Sequence, residues 1–139
     1  MCPIATITLP AHLDSLSRGL TLVVECASAA GFPRARITEI ELAVEEALAN
    51  ICLYAYPDSR GEVEVRCVRD ETQHFLIELI DTGVPFDLLA WPVPDLTVDM
   101  AQRQLGGFGI PLILALMDHV TYQREGDRNI LRLVVRLSL

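Results

Sequence analysis

Between Thr38 and Tyr56 the chain reads TEIELAVEEALANICLYAY, with no glycine or proline to interrupt it. Ile37, Ile40, Val44, Ala47, Leu48 and Ile51 recur at three- and four-residue spacing, the apolar stripe of a helix. At about 100° per residue, Glu46 and Asn50 fall on roughly the opposite side, one turn apart. That second face also carries Leu42, Ala43, Ala49 and Leu53. An acid and an amide among apolar neighbours predict a helix covered on both sides. Glu46 and Asn50 then point into a cleft and need partners there, because burying them unpaired is costly.

The flanking segments supply the other layers. Residues 4–9, IATITL, alternate as a strand and stop at Pro10. Residues 12–30 have helical spacing, with Asp14 or Ser15 as candidate caps and Gly31 and Pro33 as stop signals. The central helix starts near Arg36–Thr38 and is broken by Pro57-Asp58. Residues 62–69 alternate strictly and residues 74–80 form a second strand, joined through Asp70–Gln73 as a hairpin. The segment from 88 to about 105 is a long polar loop with Pro92, Pro94 and Trp91. GGFG at 106–109 opens a helix to about 118, with Pro111 in its first turn. Residues 119–124 and 129–137 make a last hairpin, turning at Glu125–Asp127. The order β-α-α-β-β-loop-α-β-β predicts an α+β fold. It is a two-layer sandwich, with helices on one face of a mixed, mostly antiparallel sheet and water on the other.

Length and charge narrow the function. A chain of 139 residues suffices for one domain, 1–139, with a proper core. The net charge is −8 and all 11 bases are arginine, which argues against nucleic-acid or anionic-membrane binding. Cys2, Cys26, Cys52 and Cys67 form no CxxC pair and read as reduced thiols. The three histidines lack metal-ligand spacing. No charged-then-apolar leader is visible, and the apolar run 104–117 is too short for a bilayer, so cytoplasm is the expected location.

Three places carry possible chemistry. Gly106, Gly107 and Gly109 precede a helix, where backbone N–H groups can approach an anion; alone, they equally suit a flexible loop. Asp81 in Asp81-Thr82-Gly83 follows an apolar strand and can accept from the exocyclic amine of a base, or simply shape its own turn. Asn50 offers an amide oxygen to Mg2+, with a carboxylate one turn away to orient or deprotonate a nucleophile. The alternative for Glu46 and Asn50 is a polar surface pair.

In this order, E-x-x-x-N on a helix, D-x-G after a strand, a proline-containing lid and G-G-x-G before a helix resemble the N box and glycine boxes of the GHKL ATPase superfamily. That superfamily includes gyrase, Hsp90, histidine kinases and MutL. ELAVEEALANICLYAY at 41–56, DTGVPFD at 81–87, GGFGIPLILALMDHVTY at 106–122 and GDRNILRL at 126–133 are most similar to the bacterial anti-sigma factor serine kinases.

The resemblance implies the two-layer ATP-binding fold of these proteins and a serine kinase that uses ATP and Mg2+. Asn50 would coordinate Mg2+, and Glu46 would be the general base for a serine hydroxyl. Asp81 would bond the adenine amine with Gly83 packing by the base, and Gly107 and Gly109 would enclose the phosphates. The family's arginine before the second glycine box is replaced by Leu105, so Arg103 is expected to supply the cation. Tyr54 stands where relatives often have His, and Asn129 near where they place Thr against the base. Implied partners are a STAS-type anti-sigma-antagonist carrying the target serine, a sigma factor, and a second copy in a homodimer. Trp91 and Leu96 are candidate partner contacts or a small cluster under the lid. The alternative is a nucleotide-binding module that only sequesters its partner. A histidine kinase fragment is disfavoured, because no paired helices with a phosphoacceptor His precede the N box.

Overall fold

A computed structural model describes residues 2–85, 87, 89 and 109–137. Strand β1 is Cys2–Pro10, followed by a 3-10 turn at Leu13–Ser15 and helices α1, Leu16–Ala29, and α2, Arg34–Tyr54. Strands β2, Glu62–Arg69, and β3, His74–Asp81, come next. Helix α3, Gly109–Leu116, leads to β4, His119–Glu125, and β5, Arg128–Arg136. The sheet order is β1-β2-β3-β5-β4. All four pairings are antiparallel, so among the described residues the expected mixed sheet is antiparallel throughout.

The middle position of β3 explains its composition. Every residue from Phe75 to Asp81 is buried, whereas β2 alternates. Val65, Ile77 and Leu133 belong to one core with Ile40, Val44 and Leu48 of α2. Phe32 meets Phe75 edge-on, with ring centroids 5.5 Å apart. Each such fully buried apolar side chain contributes about 1.5–3 kcal/mol relative to exposure.

The opposite sheet face is less simple than water over polar residues. Glu78 is only 4% exposed there. Arg132 Nε donates to its Oε2 at 2.7 Å, and Arg66 Nη1 lies 3.6 Å from Oε1. Arg66 and Arg132 are the register partners of Glu78 on the two flanking strands, so pairing places both charges against it.

The helix ends follow local chemistry, with two departures from the sequence reading. Ser15 stands at the N-cap of α1, as expected, but makes no side-chain cap bond; His12 caps the preceding 3-10 turn, its Nδ1 accepting from Asp14 N at 3.1 Å. Helix α2 begins at Arg34, with extended Pro33 before it. At the end of α1, Gly31 takes φ +97°, Phe32 N donates to Ala27 O, and Gly31 N donates to Ser28 O. This double bond pattern is the Schellman stop that a glycine permits. Cover on the second face of α2 is partial. Ala43 is buried, but Leu42 and Leu53 are 39% and 47% exposed. Described Cys26, Cys52 and Cys67 are free thiols.

Candidate functional site

Asn50 is 2% exposed, deep on α2. Its Nδ2 donates to Glu46 O at 2.7 Å, one turn back. Its Oδ1 is buried with no hydrogen-bond partner among the described residues. Such an orphan costs about 1–3 kcal/mol. A buried unsatisfied group calls for an explanation, and a bound ion is one. An amide oxygen is a hard ligand, so the group fits Mg2+. No cluster of three or more His, Cys, Asp or Glu among the described residues could hold a metal by itself. Glu46, one turn earlier, is half-buried. Burial, and after it the neighbouring Glu45 charge, raises its carboxyl above the usual range. A raised carboxyl is a better proton acceptor at neutral pH than a solvated one.

Asp81 ends β3 and is 5% exposed. Its Oδ1 accepts from Gly83 N at 2.8 Å and from Asn129 Nδ2 at 2.8 Å. Burial raises the carboxyl; the bonds from Asn129 and Gly83 and the charge of Arg124 oppose that shift. The strand register puts Asp81 directly opposite Asn129.

The two motifs meet at Gly83. Val84 N donates to Ala55 O at 2.8 Å, tying the turn after β3 to the residue that caps α2. A Cβ on Gly83 would stand 2.1 Å from that same carbonyl oxygen. Gly83 therefore serves close backbone approach, and its φ is not in the left-handed region. Tyr56 adds a second tie: its OH donates to Glu62 O at 2.6 Å and accepts from Thr82 N at 2.8 Å. The Tyr56 ring fills the space a Cβ on Gly61 would need. A cavity of about 300 Å³ is lined by Tyr56, Thr82, Gly83 and Arg124, beside the Asp81 turn. A larger one, about 670 Å³, is lined by His12, Arg18, Cys52 and Arg60, away from Glu46, Asn50 and Asp81.

Gly109 opens α3, anchored by buried Ile110 and Ile113 and packed along α2. At its other end, Arg36 of α2 donates to Leu116 O and pairs with Asp118 at 3.2 Å. Arg103, Leu105, Gly107, Trp91 and Leu96 lie outside the described residues. Tyr56, Tyr122, Arg124 and Arg36 went unmarked in the sequence. The signal for them was weak: one aromatic or basic residue near a loop has no periodicity to betray it.

Residues 9–135 match the family described as histidine kinase-like ATPase domain. The serine-protein kinase RsbW of Listeria monocytogenes serovar 1/2a is 32% identical over 127 residues, covering 87% of this chain and 80% of that protein. The anti-sigma F factor of Clostridium acetobutylicum is 24% identical over 93 residues, covering 67% and 64%. Among solved structures, the RsbU and RsbW domains of a Mycobacterium tuberculosis protein superpose with TM-score 0.69 at 18% identity, over 100% of this chain and 33% of that one. The histidine kinase domain of a blue-light activated kinase from Erythrobacter litoralis gives 0.56 at 19%, covering 96% and 68%. These two likenesses carry the fold. With the match over 9–135 and the 32% identity to a serine-protein kinase, the chain belongs to the histidine kinase-like ATPase domain family, as a GHKL-type kinase of the RsbW kind.

Proposed function

We propose that this chain, read as one ATP-binding unit, transfers a phosphoryl group from ATP to a serine of a STAS-type anti-sigma-antagonist. In its other state it holds a sigma factor, acting as a cytoplasmic homodimer. The observation that carries the reading is the buried Oδ1 of Asn50, without a hydrogen-bond partner among the described residues, one turn from half-buried Glu46. Bound ATP would supply the electrophilic γ-phosphorus, and Mg2+ would offset the triphosphate charge. The chain supplies the rest. Asp81 accepts from the adenine amine and orients the base. Asn50 presents its oxygen to the metal. Gly107 and Gly109 let backbone N–H groups close on phosphate oxygens, and Arg103 adds the cation that Leu105 does not. Glu46, its carboxyl raised by burial, would take the serine proton as the hydroxyl oxygen bonds to the γ-phosphorus, while the bond from that phosphorus to the β–γ bridging oxygen breaks and ADP leaves.

One support is independent of the relatives' names: the close approach of Gly83 to Ala55 brings the Asp81 turn to the end of the helix that carries Glu46 and Asn50.

The test is thermal unfolding with and without Mg2+-ATP and Mg2+-ADP. A ligand at 100 times its Kd stabilises by about 2.7 kcal/mol. At about 2.1 cal/mol/K per residue, 139 residues give an unfolding entropy of about 0.29 kcal/mol/K, hence a shift of about 9 °C. The shift should vanish in Asn50→Ala. Transfer to a purified STAS-type partner should be lost in Glu46→Gln with nucleotide binding retained. If the parent binds nucleotide but transfers nothing to any serine, the sequestering module is the right reading. No shift with either nucleotide at millimolar concentration refutes the kinase reading and leaves a module that grasps its partner without nucleotide.

A further inference from the structure

The side chain that faces Asp81 is itself held from two sides. Asn129 Oδ1 accepts from Tyr122 OH and, at 3.2 Å, from Arg124 Nη1. Arginine can only donate, so Arg124 fixes which end of the amide is oxygen. The Nδ2 end must then point the other way. It does, donating to Asp81 Oδ1 and to Val84 O, both at 2.8 Å. Arg124 Nη1 also donates to Gly83 O at 2.8 Å, which locks the same turn from outside.

This chain of bonds has a consequence for Asp81. Its Oδ1 already takes two donors, Asn129 Nδ2 and Gly83 N. The carboxylate cannot rotate without abandoning both. Its Oδ2 is left as the acceptor available to a ligand, in a fixed direction. An acceptor so placed welcomes a 6-amino group and rejects a 6-oxo group, because the oxo oxygen meets another acceptor. A buried polar group left unmatched gives strong discrimination.

We infer that Asn129 is the positioning residue for base selection: held by Tyr122 and Arg124, it commits Asp81 Oδ1 and leaves only Oδ2 to read an adenine-type 6-amino purine. This rests on the nucleotide-site reading above and adds to it the residue that makes Asp81 selective.

The test measures the affinities of Mg2+-ADP and Mg2+-IDP for the full chain by calorimetry, with melting curves to confirm folding. The parent is expected to favour ADP over IDP. In Asn129→Leu, close in size but with no amide, Asp81 loses its orienting donor. ADP affinity falls at least tenfold, IDP affinity falls less, and the preference narrows. A merely structural defect would weaken both nucleotides equally and leave the preference unchanged.

Asn129→Asp is the second variant. It sets an acceptor against Asp81 Oδ1. The charged or titratable groups facing the new carboxylate are Asp81 on β3 and Tyr122 and Arg124 on β4. Two carboxylates that close share a proton as pH falls. ADP binding relative to the parent should therefore be weak at pH 8 and recover at pH 6. Variants that keep the parent's ADP affinity and its ADP-to-IDP ratio, while the parent binds ADP, overturn this inference alone. A parent that binds neither nucleotide overturns it together with the nucleotide-site reading.

Discussion

Gly83→Ala should be among the most damaging single-methyl additions to this chain. The added Cβ would sit 2.1 Å from Ala55 O, 2.7 Å from Ala55 C and 2.8 Å from Ala55 Cβ. Two of those atoms are backbone, in the residue that caps α2, so no side chain can swing aside. The turn must move out by about 1 Å to reach ordinary contact. That movement costs about 1–3 kcal/mol as overpacking. It also breaks or stretches the Val84 N to Ala55 O bond, worth about 0.5–1.5 kcal/mol. The total is about 1.5–4.5 kcal/mol. With the unfolding entropy of about 0.29 kcal/mol/K, melting falls by about 5–16 °C. Adenine nucleotide binding should fall more than tenfold, since Gly83 N is one of the two donors that hold Asp81. Gly126→Ala is the control. Gly126 has φ +63° and open space around its missing Cβ, so only backbone strain is added there. That costs about 1–2 kcal/mol, and Gly126→Asn should recover much of it. Scanning calorimetry on the three variants decides the matter. A Gly83→Ala protein melting within 2 °C of the parent would refute the close-approach argument.

Four further variants test other contacts. Asn50→Ala without nucleotide should melt within about 3 °C of the parent despite the burial of Asn50, because the lost Nδ2 bond and the removed orphan oxygen offset each other. Glu46→Gln should melt above the parent at pH 7 with the gap closing below about pH 4.3. The folded-state carboxyl is raised, so its stability contribution is present at low pH and is lost as pH rises through the raised value. The same substitution should slow transfer by about 10²–10⁴-fold, read from labelled phosphate on the partner. Arg132→Ala should cost about 3–5 kcal/mol by urea unfolding, because it strips the closest partner from buried Glu78. Arg36→Ala should cost about 1.5–3 kcal/mol by the same assay, through its lost bonds to Leu116 O and Asp118.

Periodic features were legible in the sequence because they repeat. The stripe Ile40–Val44–Leu48–Ile51 needs only its own spacing to announce α2, and the alternation of residues 62–69 announces β2. Glu46, Asn50 and Asp81 were legible as motif members. What the structure adds is how two of them join, through Gly83 against Ala55. Strand order was not legible. The last hairpin enters the sheet with β5 beside β3 and β4 outside it, and hydrophobic alternation looks the same either way. Without that order nothing sets Asn129 opposite Asp81, so the bonds from Tyr122 and Arg124 had no visible purpose. His12 went unread as a cap because Asp14 and Ser15 are the better-known cap formers. The ion-paired sheet face escaped for a related reason: Arg66, Glu78 and Arg132 become neighbours only through pairing across three strands.

The pairing of Asp81 with Asn129 ties the ligand site to the alignment of the sheet itself. A slip of one residue between β3 and β5 would carry Asp81 off its amide partner. It would also set Glu78 away from Arg132, so both errors arrive together. If Asp81 reads the base as proposed, a chain with misaligned strands has no reader for it, and a nucleotide that binds only the aligned form draws the population toward it. The ligand thus inspects the hydrogen-bond ladder between two strands far apart in sequence, and chains that fail the inspection are left without its stabilisation.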